Sequence, residues 1–227
     1  MLFLAVFCGF IAENIREYSM DRKKEKEYIL SMIEDLKADT TSLSKSINNY
    51  TALILGKDSM ILLLNKEKWT NEEVLKLYRY HIFYVGYMDK VFLSKRTQAQ
   101  LFNAGGLRLI KNQKASDAIT HYITGIDFIE ETEEKRSLAY SEKALDISAT
   151  IMDNKYIREL PHEPYVLDSL ALVSPVLLTT DRKEIKKFAF YLEQDKSYMI
   201  GLLVNLHTLK KRAIELIQLL KKEYHLE

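Results

Sequence analysis

The chain contains 227 residues, of which 47% are hydrophobic and 29% are charged, and its formal net charge is +1. These values exclude a wholly disordered chain, and the absence of a basic face gives no support to nucleic-acid binding. With only 7 glycines and 3 prolines, the composition favours long helices over a turn-rich β fold. The single cysteine, Cys8, excludes an intrachain disulfide.

The chain begins with an apolar run. Residues 1–12 carry no polar side chain except the thiol of Cys8, which we interpret as a small buried hydrophobic residue. Twelve helical residues measure roughly 18 Å, less than the roughly 30 Å of a bilayer's hydrocarbon core, so the run alone does not secure a complete span. A signal peptide is not favoured, because no basic stretch precedes Leu2 and no small-x-small cleavage site follows.

Three interpretations of this run stay open. We favour a helix in a membrane or in detergent over a helix buried against a partner or a second copy, and over a plain core helix. In each case something covers the apolar side chains. The residues that we expect to be covered are Leu2, Phe3, Leu4, Val6, Phe7, Phe10 and Ile11.

A heptad pattern follows the apolar run. Between residues 29 and 54, apolar residues recur at alternating spacings of four and three, and polar Thr40 interrupts one layer. The pattern predicts a long helix that packs along one face. It fits an intrachain bundle as well as an interchain coiled coil, since the packing layers look alike in both. The predicted seam consists of Ile29, Ile33, Leu36, Leu43, Ile47, Tyr50 and Ile54.

An aromatic zone lies in the second predicted helix. Thr70 and Glu73 form a capping box at its start, and residues 80–93 are aromatic and apolar almost throughout. Core packing is the first explanation of such a zone, and a ligand pocket is the second. The residues of this candidate pocket are Tyr80, His81, Tyr84 and Tyr87.

The remaining segments are also predicted to be mainly helical. Gly105 and Gly106 predict a turn, and Asn112 predicts the N-cap of a long helix over residues 113–156. All three prolines fall within residues 160–180, which we interpret as the main irregular connection. A last helix of about 40 residues begins near Asp181, with apolar residues at spacings of three and four that only Asp195 interrupts.

The sequence shows no catalytic or metal-binding signature. No two of its five histidines lie one helix turn apart, and no HExxH, G-x-S-x-G, P-loop or dinucleotide-binding motif occurs. His81 and His207 lie in apolar surroundings, where we expect core or interface histidines. We therefore predict no catalytic residue, no cofactor and no metal, and we predict that the protein is not an enzyme.

Three stretches carry a resemblance to a known family. They are Phe3-Leu-Ala-Val-Phe with Ala12-Glu-Asn-Ile-Arg-Glu17 and Lys24-Glu-Lys-Glu-Tyr, then Asn103-Ala-Gly-Gly-Leu-Arg-Leu-Ile-Lys-Asn112, and finally Lys221-Lys-Glu-Tyr-His-Leu-Glu227. The chain resembles an uncharacterised bacterial family, mainly from the Bacteroidetes, whose members have one N-terminal transmembrane helix and a helical domain beyond it.

The resemblance implies a location in the bacterial inner membrane with the bundle in the periplasm. Taken alone, the basic residues between positions 16 and 26 would place that side in the cytoplasm, although acidic residues are interleaved with them. Members of the family commonly carry a polar or basic leader before the apolar segment, and this chain shows none. The family has no assigned activity.

Together these observations predict an all-α protein. A membrane helix at residues 1–20 continues into a heptad-patterned rod, and residues 21–227 form an elongated antiparallel helical bundle. We predict a membrane-anchored structural or interaction protein that self-associates or serves as an accessory subunit of a membrane complex. Its expected partners are membrane lipid and a second copy or a membrane protein, and not nucleic acid. The alternative is an extracytoplasmic sensory or ligand-binding bundle with its pocket in the aromatic zone.

Overall fold

A computed structural model of the chain describes residues 2–85, 90–103, 105–132, 138–159 and 174–226. Within these ranges the protein is all-α, as predicted, and its only β-type pairing is an isolated bridge between Met152 and Leu177. The described residues form seven α-helices and one 3₁₀ turn. These are α1 (Leu2–Leu64), α2 (Asn71–Tyr84), α3 (Arg96–Asn103), the 3₁₀ turn (Gly106–Leu109), α4 (Gln113–Thr132), α5 (Leu138–Ile151), α6 (Asn154–Glu159) and α7 (Arg182–Glu223).

Contacts within the chain define two compact units. Unit 1 comprises residues 1–44, 91–127 and 208–227, and unit 2 comprises residues 45–90 and 128–207. Helices α1, α4 and α7 each contribute residues to both units. The boundary between residues 20 and 21 that the sequence predicts concerns membrane attachment, and it stays a prediction.

The buried stripe of α1 follows a strict alternation of four and three residues. Ile29, Leu36, Leu43 and Tyr50 of the predicted seam lie on it, Ile33 and Ile47 are buried beside it, and Ile54 is half-buried. The stripe also contains polar residues at four of its positions. Its members are Glu25, Ile29, Met32, Leu36, Asp39, Leu43, Ser46, Tyr50, Leu53, Lys57, Met60 and Leu64.

In unit 1, carboxylates on α1 hold the connection that leads to α4. Asp39 Oδ1 accepts the backbone N–H of Ser94 at 2.7 Å, and Glu25 Oε1 accepts that of Lys111 at 2.7 Å. Asp35 Oδ2 accepts the N–H of Thr97 at 3.0 Å, at the start of α3. Backbone N–H groups at a helix start have no partner within their own helix, so Asp35 supplies a cap for α3 from a distant part of the chain. Asp39 and Glu25 bind the non-helical residues that precede α3 and α4.

Unit 2 contains an apolar core between α1, α2, α5 and α7. The predicted capping box at the start of α2 is confirmed, with Thr70 and Glu73 bonded reciprocally. Trp69 donates from Nε1 to the carbonyl of Leu63 at 2.7 Å, so it covers the C-terminal end of α1. The buried core residues are Met60, Ile61, Leu64, Leu77, Tyr78, Val85, Ala144, Ile147, Ile151, Met152, Ile185, Phe188, Ala189 and Leu192.

The predicted helix over residues 113–156 is wrong at its C-terminal end. Helix α5 ends at Ile151, whose carbonyl accepts the N–H of Leu178 at 2.9 Å. The N–H of Asp153 donates to the hydroxyl of Tyr78 at 2.7 Å instead of to the preceding helical turn. These partners lie far away in sequence, so the local pattern could not show where the helix ends. Residues 133–137 and 160–173, which include Pro161 and Pro164, lie outside the described residues.

Candidate functional site

The first candidate site is an apolar segment of α1, residues 3–12, in which every described large side chain is exposed. The exposed fractions are 81% for Phe3, 65% for Leu4 and 67% for Phe10. Val6, Phe7 and Ile11 are exposed as well. This is the surface that the sequence predicts to be covered by lipid or by a partner; the side chain of Leu2 lies outside the description.

The apolar segment has no polar face. At 3.6 residues per turn, its large side chains fall on one side of the helix, and Cys8, Gly9 and Ala12 fall on the other. Cys8 is exposed, and a Cβ added at Gly9 would meet nothing within 4 Å. A helix at the surface of a protein in water normally combines an apolar stripe with a polar face, whereas one that is apolar all round lies in an apolar environment.

Paired polar side chains mark the end of the apolar segment. Arg16 makes two hydrogen bonds to the carboxylate of Glu13, one of them from Nε to Oε2 at 3.0 Å. These bonds raise the pKa of the Arg16 guanidinium. Six residues after Arg16, Arg22 Nε donates to the hydroxyl of Tyr18 at 3.0 Å, and its guanidinium lies 5.4 Å from the centre of that ring. Tyrosine and arginine with this amphipathic character are typical of the border between lipid and water.

We also looked for a complete membrane span among the described helices. No helix formed by the described residues includes a stretch that is both long enough and apolar enough to cross a membrane.

The predicted pocket residues lie in unit 2 on α2. Tyr80 and Tyr84 are half-buried with ring centres 5.7 Å apart, and His81 is buried; Tyr87 lies outside the described residues. The ring of Tyr84 packs directly on Gly56 of α1, where a Cβ would overlap it. This contact gives Tyr84 a packing role, and a pocket in this zone stays a prediction.

The second candidate site is a polar cluster inside unit 2 that the sequence analysis missed. Lys57 of α1 and Asp195 of α7 form an ion pair of 2.8 Å, and both side chains are 0% exposed. Lys57 Nζ also donates to the carbonyl of Tyr84, and Ser141 Oγ donates to Asp195 Oδ2 at 3.3 Å. Two signals in the sequence point to this pair: Asp195 interrupts an apolar stripe, and Lys57 lies on the continued heptad spacing of α1.

His81 belongs to the same interior. Its Nε2 lies 2.7 Å from Ser148 Oγ on α5. Burial, with a smaller contribution from the positive charge of Lys57, lowers the pKa of His81 to about 4. The imidazole is therefore neutral at pH 7, and its place in the core agrees with the expectation for this histidine, whereas His207 is exposed.

The chemistry available to these groups is limited. Among the described residues, no three His, Cys, Asp or Glu side chains lie close enough to hold a metal ion together. Lys57 and Asp195 are bonded to each other and closed off from water, so neither side chain is available to a substrate. Of the two sites, the apolar segment is the one whose surface is available to a partner.

Comparisons with known proteins found no match to a protein-family model, to a curated protein or to a solved structure.

Proposed function

We propose that the protein is a membrane-anchored structural or interaction protein, and that the apolar segment of α1 lies in lipid. The observation that carries the proposal is the exposure of Phe3, Leu4 and Phe10 on a helix segment without a polar face. Contiguous exposed apolar surface on a folded protein marks a protein or membrane interaction site. The proposal concerns insertion of the segment into lipid and does not require a complete span.

Lipid fits this segment better than a protein partner in water does. A helix that docks into a protein groove presents one apolar stripe and keeps its other side polar. On the apolar segment, the side opposite the large residues is formed by Cys8, Gly9 and Ala12, which do not provide such a polar side. We propose that the border between lipid and water lies just after Ala12, and the bonded pair of Glu13 and Arg16, followed by Tyr18, supports this position.

The free energy of insertion can be estimated from the phenylalanines. Phe3, Phe7 and Phe10 are 81%, 54% and 67% exposed, which together corresponds to about two fully exposed side chains. Burying one such side chain contributes about 1.5–3 kcal/mol, so the three contribute roughly 3–6 kcal/mol. Replacing them by serine is therefore expected to lower partitioning into lipid by about 10²–10⁴-fold.

Vesicle binding tests the proposal. The full chain is mixed with phosphatidylcholine vesicles, and the bound fraction is measured by flotation for the parent protein and for F3S/F7S/F10S. The matched control is L30S/L55S/L62S, because these leucines are exposed on the same helix but outside the apolar segment. The proposal predicts binding by the parent and the control and at least tenfold weaker binding by the triple phenylalanine variant. Equal binding by all three proteins would contradict it.

The remaining predictions about assembly belong to this proposal. We propose self-association, or association with a membrane protein, because a shared lipid environment brings copies of the segment together. The elongated antiparallel bundle, the periplasmic location at the bacterial inner membrane and membership of the Bacteroidetes-type family stay predictions within it. Measuring the mass of the detergent-solubilised chain by light scattering tests self-association, and a monomer at every concentration would contradict it.

A further inference from the structure

The hydrogen bonds around His81 determine its tautomer. Ser148 has a single hydroxyl proton, and it donates that proton to the carbonyl of Leu145 at 2.7 Å. The Ser148 oxygen must therefore accept the 2.7 Å bond from His81 Nε2–H. It follows that Nδ1 of the neutral ring carries a lone pair, and no described residue bonds to it.

The charges around His81 are already balanced. Helix α1 presents Lys57, and helix α7 presents Asp195, which binds Lys57 and Ser141 through Oδ2. Helix α5 presents the hydroxyls of Ser141 and Ser148, both of which are committed as donors to other acceptors. Asp195 Oδ1 has no hydrogen-bond partner among the described residues, but the single negative charge of this carboxylate is already matched by Lys57. A second positive charge at this place would therefore leave the buried cluster with a net charge of +1.

We propose that unit 2 contains an acid-sensitive latch, in which protonation of His81 Nδ1 releases α2 from α5. The added proton would point into the interior without an acceptor, and the resulting cation would be repelled by Lys57. A buried charge without a partner is strongly destabilising, so the protonated ring favours any conformation that admits water. The inference is independent of the apolar segment and of lipid.

The position of the latch indicates what would open. His81 lies in the last turn of α2, and the bond from Lys57 to the carbonyl of Tyr84 holds the same turn. Loss of the bond between His81 and Ser148 therefore frees the C-terminal turn of α2 from α5 and leaves the bond from Lys57 to hold this turn to α1. Residues 77–85 are the expected opening segment, and they carry the buried side chains of Leu77 and Tyr78.

The pH range in which the latch opens follows from the direction in which the pKa of His81 is shifted. The pKa of His81 is lowered from its ordinary value of 6.5 to about 4, so the closed state binds its proton less tightly than the open state does. The latch is fully closed above about pH 6.5 and loosens as the pH falls toward 4. Between pH 7 and pH 5 the opening equilibrium of α2 is expected to increase roughly 20-fold.

Amide hydrogen exchange on the full chain tests this inference. Protection of residues 77–85 is measured at pH 7 and pH 5, after correction for the intrinsic exchange rate, in the parent protein, in H81Q and in H207Q. Glutamine keeps a donor for Ser148 but does not titrate, so H81Q should show at most a twofold change where the parent shows about twentyfold. H207Q replaces an exposed histidine of α7 and should behave like the parent.

A second measurement keeps the inference testable if H81Q does not fold. Nitrogen-15 NMR of the parent protein reports both the tautomer and the titration of each imidazole. We expect the Nε2–H tautomer for His81 and no protonation above pH 5.5. Titration of His81 near 6.5, the Nδ1–H tautomer, or an equal loss of protection in the parent and in H81Q would overturn the proposal.

Discussion

The buried ion pair of unit 2 has a matched exposed counterpart, which makes its contribution measurable. Lys57 and Asp195 are 2.8 Å apart with both side chains 0% exposed. The neighbouring residues, Asp58 and Lys196, join the same two helices at 2.8 Å, but Asp58 is 52% exposed and Lys196 is 14% exposed. The two pairs have opposite polarity and equal length, and they differ in exposure. Each lysine has one further partner, the carbonyl of Tyr84 for Lys57 and the carboxylate of Glu193 for Lys196.

Removing one partner of the buried pair is expected to be costly. K57M leaves the Asp195 carboxylate without a counter-ion and also leaves the carbonyl of Tyr84 without its donor. An uncompensated buried charge of this kind costs about 3–5 kcal/mol, which corresponds to roughly 10 °C in Tm for a chain of this size. K196M, in the exposed pair, should cost less than about 1 kcal/mol.

Urea unfolding followed by circular dichroism gives the four free energies of a double-mutant cycle for K57M, D195L and the double variant. The double variant should recover most of the stability that K57M loses, because it removes both buried charges together. The reasoning would be refuted by a K57M effect no larger than that of K196M, or by a double variant that loses the sum of the two single effects.

Two further perturbations test packing and polar contacts. Gly56→Ala places a Cβ against the ring of Tyr84 and should lower the free energy of unfolding by about 1–3 kcal/mol in thermal denaturation, whereas Gly201→Ala meets nothing within 4 Å and should be neutral or stabilising by up to about 1 kcal/mol. Tyr122→Phe removes the 2.8 Å hydrogen bond to Asp39 Oδ2, which is buried, and should cost about 1–3 kcal/mol in urea unfolding at pH 7. Burial raises the pKa of Asp39, so this loss should shrink as the pH falls and the carboxyl is protonated; a loss that grows on acidification would contradict the assignment.

Local signals in the sequence account for the features that were predicted correctly. The capping box needs only Thr70 and Glu73, which lie within one turn, and it forms as expected. The turn at Gly105 has a φ of 66°, a backbone conformation that glycine adopts without strain, so its position could be read from the glycine itself. Each of these features depends on residues that are neighbours along the chain.

The burial of the polar residues in the α1 stripe could not be predicted from their neighbours along the chain. Glu25, Asp39 and Lys57 look like surface residues when only apolar periodicity is followed, and each of them has a partner that lies 55 or more residues away in sequence. Asp39 is buried because Ser94 and Tyr122 both donate to it, and neither contact leaves a local pattern. Tertiary hydrogen bonds therefore determine which polar residues enter the core.

The apolar segment and the latch also differ in whether neighbouring residues along the chain are enough to predict them. The apolar segment can be predicted from the sequence alone, because residues 1–12 carry no polar side chain except the thiol of Cys8. The latch around His81 depends on which way a single hydroxyl proton of Ser148 points, and that depends on the carbonyl of Leu145. No spacing rule along the chain contains this information.

The most direct test of membrane attachment uses the only cysteine of the chain, Cys8, which is exposed within the apolar segment. A nitroxide attached to this thiol is examined by electron paramagnetic resonance with phosphatidylcholine vesicles, using oxygen and a water-soluble nickel complex as relaxing agents. A second label at L55C, in a C8A background, reports an exposed position of the same helix outside the apolar segment.

Insertion into lipid predicts that vesicles raise the oxygen accessibility of the Cys8 label and lower its nickel accessibility, while the L55C label stays accessible to nickel. Shielding of the Cys8 label from both agents would show burial against protein instead of lipid. Unchanged nickel accessibility at Cys8 would show that the segment remains in water, and either result would contradict membrane anchoring by the apolar segment.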